Sequence, residues 1–144
     1  MLRAMKIGEW DALGKARALL QRQMGDLGAT ELATHVTINP ENGRMRVLVA
    51  TDIGLADYSW APSGSAADKD WYLRGTLYRW RSVRGIRLQT DAQIGEDTSQ
   101  MQSIWRMVGE DPKIELAASG SATDREAVDA LLAFSHACME RAAG

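Results

Sequence analysis

The stretch "ELATHVTINPENGRMRVLVATD", residues 31 to 52, constrains the fold more than any other part of the chain. Apolar and polar residues alternate on both sides of Asn42-Gly43. That dipeptide is the strongest short hairpin signal, because a type I′ turn needs positive φ at both central positions. The spacing predicts two antiparallel strands with Glu41 opposite Arg44, Ile38 opposite Val47, Val36 opposite Val49 and Leu32 opposite Ile53. This register sets apolar residues against apolar ones on a single face, as a half-buried hairpin requires. Pro40 lies next to the turn, where a missing donor costs little.

The same period continues downstream. "TDIGLADYSWAP" predicts a tight turn around Asp52 to Gly54 and a third strand, and "DWYLRGTLYRW" and "VRGIRLQTDA" predict a fourth and a fifth. In "QMQSIWRMV" Met101, Ser103, Trp105 and Met107 fall on one side of a sixth strand, and "KIELAAS" makes a seventh. "SGSAAD", 63 to 68, reads as an exposed loop, and "GED" at 95 to 97 and "GEDP" at 109 to 112 read as turns.

Both ends of the chain change to helical spacing. Trp10, Leu13, Leu20, Met24 and Leu27 predict an amphipathic helix over 9 to 27, ended by the glycines at 25 and 28. Gly14 weakens it by about 1 kcal/mol relative to alanine. Thr123 followed by Glu126 reads as a capping box, and Val128, Leu131, Leu132, Phe134, Cys138 and Met139 form the apolar stripe behind it. The expectation is one mainly β (α+β) domain over 1–144. It comprises an N-terminal helix at 1–28, a seven-stranded antiparallel sheet at 29–120 and a C-terminal capping helix at 121–144.

Length and charge narrow the function. A chain of 144 residues is the size of one domain, and a formal charge of −2 argues against a general nucleic-acid binder. The lone Cys138 cannot form an internal disulfide, and no export signal or run of about 18 apolar residues is visible. A cytoplasmic protein without a membrane span is expected, and peripheral membrane contact is left open.

Two stretches carry a family resemblance. "VLVATDIGLADYSW", 47 to 60, resembles the strand–turn–strand of bacterial pleckstrin-homology-like and GRAM domains, in which an apolar strand ends in Thr-Asp. "LYRWRSVRGIRL", 77 to 88, is similar to their middle segment, an aromatic strand followed by a short apolar turn. The likeness covers about residues 29 to 142 and implies a strongly bent sheet, or partly open barrel, plugged at one end by the closing helix. It also implies a scaffolding or oligomerising role. Arg44 and Arg46 match the last two positions of the family's basic lipid-headgroup motif, whereas its lysine is absent and Glu41 stands next to the turn. The N-terminal helix lies outside the resemblance, which makes Trp10 a candidate interface residue.

The segment "WYLRGTLYRWRSVRGIRLQ", 71 to 89, holds Arg74, Arg79, Arg81, Arg84 and Arg87 and no acid. Strand alternation predicts Arg79 and Arg81 on one face, Tyr78 and Trp80 on the other, and Arg87 outward between Ile86 and Leu88. These five arginines form the candidate anion- or partner-binding surface, with a solvated sheet face as the plain alternative. The five tryptophans are read chiefly as core.

Reactive constellations are scarce. Cys138 and His136 are two apart on a helix and point about 200° away from each other, so they make no nucleophile–base pair. His35 is expected on the outward face of the first strand, and two histidines give a zinc site little to be built from. No metal, cofactor or catalytic residue is predicted, and the chain is read as no enzyme. The leading expectation is a non-catalytic module acting through protein–protein contact, including self-association. The alternatives are binding of an anion (a phosphorylated molecule, acidic lipid headgroup or RNA) and a small-molecule carrier with an apolar pocket inside the sheet.

Overall fold

The computed structural model describes residues 4–61, 72–93, 95 and 101–143. The chain divides into two compact units, Lys6–Arg79 and a second made of residues 80–143 with 4–5.

The first unit opens with two single turns of 3-10 helix, Ile7–Glu9 and Asp11–Leu13, before helix α1, Ala16–Leu27. The predicted helix over 9 to 27 is therefore shorter. Gly14 adopts φ +52°, a conformation no α-helix accommodates, so it interrupts the helix rather than merely weakening it. Gly25 is a helical residue, and the helix ends at Gly28, whose φ of +64° lets the Ala29 amide reach back to the Met24 carbonyl.

Four strands follow: β1 Glu31–Ile38, β2 Met45–Thr51, β3 Gly54–Trp60 and β4 Arg74–Arg79. They form one antiparallel sheet in the order β1-β2-β3-β4. Leu20 and Met24 of α1, with Ile7 and Leu13, pack on Val36, Met45, Val47, Val49, Tyr58 and Trp60, which share one face of the sheet. On the opposite face Ala33, Leu48, Ala50 and Leu55 are also buried. His35, on that second face, is 6% exposed rather than outward in solvent. Burial holds its imidazole down at about 4, in the neutral form.

The first hairpin differs from its prediction by two residues. Ile38 pairs with Met45, Val36 with Val47 and Thr34 with Val49. No described residue other than glycine has positive φ, so Asn42 cannot take a type I′ position. A longer loop closes instead between Asn39 and Arg44, whose backbones bond at 2.8 Å, with Gly43 at φ +70°. The Asn39 side chain accepts the Glu41 amide and the Asn42 side chain accepts the Arg44 amide, both at 2.9 Å. Pro40, having no donor, is placed in the loop and not in the ladder. A slip of two leaves every side chain on its predicted face, because the side-chain period is two.

The turn at Asp52 to Gly54 forms as predicted. The buried Thr51 hydroxyl accepts the Gly54 amide at 3.1 Å and donates to the Gly54 carbonyl at 2.7 Å. Gly54 cannot carry a side chain, since a Cβ there would stand 2.3 Å from the Tyr78 carbonyl oxygen.

The second unit contains β5 Arg87–Ala92, β6 Ser103–Gly109, β7 Ile114–Gly120 and helix α2, Glu126–Met139. Its sheet has the order β5-β6-β7. The seven strands thus belong to two sheets, of four and three, rather than one continuous ladder among the described residues. The break follows β4, where Trp80–Ser82 winds into a 3-10 turn. β7 alternates strictly, with Ile114, Leu116, Ala118 and Gly120 buried, and α2 packs on it through Val128, Leu131, Phe134 and Cys138.

Of the predicted apolar stripe, Met139 is largely exposed and Leu132 half-buried. The capping box does not form. The Ser121 hydroxyl takes the Thr123 and Asp124 amides, so the helix starts later, with Arg125 as an N-cap that makes no side-chain bond. No helix among the described residues is long and apolar enough to cross a membrane.

Candidate binding surface

The candidate surface lies at one end of the four-stranded sheet, on the face away from α1. Thr37 pairs with Arg46, Arg46 with Ser59, and Ser59 with Arg74. Residues directly opposite each other project from the same face, so Thr37, Arg46, Ser59 and Arg74 form one cross-strand row. At about 4.8 Å per strand the row is about 14 Å long. Two residues along, Asp57 joins it from β3, and Arg44 joins from the hairpin loop.

The arginines of this row are not equivalent. Arg46 is half-buried and bidentate on Asp57, at 3.0 and 2.8 Å, so its charge is matched locally. Arg44 is exposed, and among the described residues its side chain reaches the Ser59 hydroxyl at 3.4 Å. Arg74 is exposed, and no ion pair among the described residues involves Arg44 or Arg74. The bidentate pair fixes the middle of the row, while the two outer cations stay open to solvent.

A groove of about 690 Å³ adjoins the row, and Arg44, Arg46, Asp57, Ser59, Ile38 and Pro40 are among the residues that line it. Glu41 stands at its rim within the hairpin loop. Ile38 is 53% exposed, unusually open for a strand residue of its size. Guanidinium groups and hydroxyls gathered along a groove of this length suit an extended anion better than a bare phosphate.

The five-arginine segment divides. Arg79 ends β4 on the opposite face of that strand from Arg74, since the two are five residues apart in a period-two element. Arg81 lies in the 3-10 turn, so Arg79 and Arg81 do not share a strand face as alternation alone predicts. Arg84 makes an isolated bridge, its backbone bonding Asp111 at 2.8 Å. Arg87 points outward on β5, as predicted, and pairs with Glu110 at 3.1 Å. The segment is a run of arginines in sequence but not one stripe in space. What brings Arg74 beside Arg44 and Arg46 is the register of β2, β3 and β4, which the spacing of charges along the chain does not carry.

Trp10, the candidate interface residue, is held within its own unit. Its indole N–H donates to the Thr34 carbonyl at 3.0 Å, and its ring meets His35 edge-on at 5.4 Å. Trp60 is buried, Trp80 and Trp105 are half-buried, and Trp71 lies outside the described residues. So do Glu96 to Gln100 and the predicted loop at 63 to 68.

Cys138 is fully buried, and burial pushes its thiol up to about 12, while His136 is exposed. No group of three His, Cys, Asp or Glu among the described residues could hold a metal ion. Set against family models, curated proteins and solved structures, the chain finds no match in any of the three.

Proposed function

We propose that this chain is a non-catalytic interaction module of the pleckstrin-homology-like type that binds a negatively charged segment of a partner protein. The element order supports the fold half of this reading: four strands, then three, then a closing helix. The observation that carries the binding half is the row Thr37–Arg46–Ser59–Arg74. It is fixed in the middle by Asp57, and among the described residues Arg44 and Arg74 have no carboxylate partner. Cations held on a rigid sheet beside a partly apolar groove attract and orient an acidic chain at little entropic cost. The carrier reading has less support, because the apolar face of this sheet is filled by Leu20 and Met24 of α1.

The test is calorimetric titration with a short acidic peptide at low and at physiological salt, using wild type and the double variant R44Q R74Q. The wild type is expected to bind in a salt-sensitive way and the variant to lose at least about tenfold, roughly 1.4 kcal/mol. A second reading, an anionic headgroup or phosphorylated ligand on the same arginines, is favoured by the Arg44–Ser59 contact. Binding to phosphoinositide vesicles but not to peptide would support it. Equal behaviour of wild type and variant with peptide, vesicles and oligonucleotide would overturn both.

A further inference from the structure

Helix α1 and strand β4 leave a groove of about 300 Å³ between them, on the face of the sheet opposite the Thr37–Arg46–Ser59–Arg74 row. Gln23, Asp26 and Leu27 form its helix side, being three and four residues apart and so on one side of α1. Leu73 and Leu77 belong to the strand side, with Gly75 between them. The ring of Tyr58, the cross-strand partner of Gly75, lies against that glycine, where a Cβ would come within 2.4 Å. The ring takes the place of the missing side chain, so the strand side is apolar from Leu73 through Tyr58 to Leu77.

The charge in this groove is one-sided. Asp26 is the one acid or base among its lining residues besides the Tyr58 phenol. Burial raises the Tyr58 hydroxyl above the usual tyrosine range, so the phenol is neutral at neutral pH. Asp26 is exposed, and no ion pair among the described residues involves it. α1 ends directly after Leu27 and has no basic residue in its last turn, so the negative end of the helix dipole adds to the carboxylate. Arg79, two residues beyond Leu77 on the same face of β4, does not line the groove.

The phase of the sheet adds acceptors on the strand side. Hydrogen-bonded and non-hydrogen-bonded pairs alternate along an antiparallel ladder. The Asn39–Arg44 backbone bond makes that pair a bonded one, so Thr37, His35 and Ala33 turn their backbone groups toward β2, and Thr34 and Val36 turn theirs outward. Carried through the continuous registers of β2, β3 and β4, the alternation points the backbone groups of Thr76 and Tyr78 toward β3. Those of Gly75, Leu77 and Arg79 point away from the sheet, and no backbone bond among the described residues reaches them.

We infer that this groove binds a small organic cation, an ammonium group carried on a short apolar chain or ring. Asp26 and the helix end hold the ammonium, and Leu27, Leu73, Leu77 and Tyr58 cover the apolar body. An anion meets a carboxylate here and no cation among the lining residues. A neutral apolar molecule would desolvate Asp26 without pairing it, which costs free energy that an ammonium recovers. The volume is at the small end of ligand pockets, roughly 300–1,000 Å³, and suits one ring or short chain. The site shares no residue with the anion-binding row, and neither reading depends on the other.

The experiment uses the full chain and three probes of similar shape: phenethylamine, uncharged phenethyl alcohol and anionic phenylacetate. In amide NMR, phenethylamine should give saturable shifts at Asp26, Leu27, Gly75 and Leu77. It should bind at least about tenfold more tightly than the alcohol, as a charge-assisted bond predicts, and phenylacetate should have no effect. D26N should lower the amine to the level of the alcohol and leave the alcohol unchanged. L27A should weaken amine and alcohol by a similar factor, while E126Q, a carboxylate change on α2, should match wild type.

Equal binding of the three probes, saturable shifts at other amides alone, or no shift with any probe would overturn the site. Unchanged amine binding in D26N, with the same amides shifting, would overturn the cationic ligand and leave an apolar pocket in its place.

Discussion

Along β1 the outward Thr34 carbonyl accepts the Trp10 indole N–H, and the Glu31 carboxylate accepts the Ile7 amide at 2.5 Å, so residues ahead of α1 hold this edge. Along β4 the outward groups of Gly75, Leu77 and Arg79 meet no backbone partner among the described residues, and arginines stand at either end. Both strands are edges of one sheet, and both carry the same liability of unpaired donors and acceptors. One edge is covered by its own chain. The other carries an arginine at each end and no acid along its length.

Acid should break this contrast most strongly, by attacking the covered edge. Burial lowers the folded-state pKa of His35 to about 4 from 6.5, so the unfolded chain takes up the proton more readily. Its contribution is full above pH 6.5 and is lost as pH falls toward 4, in all about 3 kcal/mol at 1.36 kcal/mol per unit. Urea unfolding midpoints across that range should fall in wild type and fall less in H35Q.

Removing the cover itself comes next. W10A loses a half-buried ring and the bond to Thr34, with a loss of about 2–3 kcal/mol in chemical denaturation and faster exchange of β1 amides relative to β4. W10F keeps the ring and should lose only about 1 kcal/mol.

The open edge is sharpened by G75A, where the added Cβ meets the Tyr58 ring at 2.4 Å and should cost about 2 kcal/mol without changing β1 exchange. The smallest effect is a gain. Gly25 is helical, and a Cβ added there would have nothing within 4 Å. G25A should therefore stabilise by about 0.8 kcal/mol in the same denaturation experiment and leave both edges as they are.

Much of the architecture is legible in the residues. The period-two runs locate all seven strands, and strict alternation in "KIELAAS" identifies the buried side of β7. The register of the first hairpin is not legible from Asn42-Gly43, which points two residues away from the observed pairing. The asparagine side chains bond the loop amides instead, and Pro40 cannot enter a ladder. Alternation also sets His35 on the outward face without showing that this face is covered. The candidate site is legible only in part: Arg44 and Arg46 stand out as a pair, and Arg74 only as one of five.

The sequence by itself determined the alternation of each strand, the helices at either end and which arginines carry no acid beside them, because these depend on neighbours a few residues apart. Tertiary structure alone decided that Arg74 belongs with Arg44 and Arg46, that Trp10 covers β1 and that the outward groups of β4 meet no backbone partner among the described residues. Those facts depend on which strand lies beside which, and on the phase of the ladder between them. Both are set by pairing between residues distant in the chain.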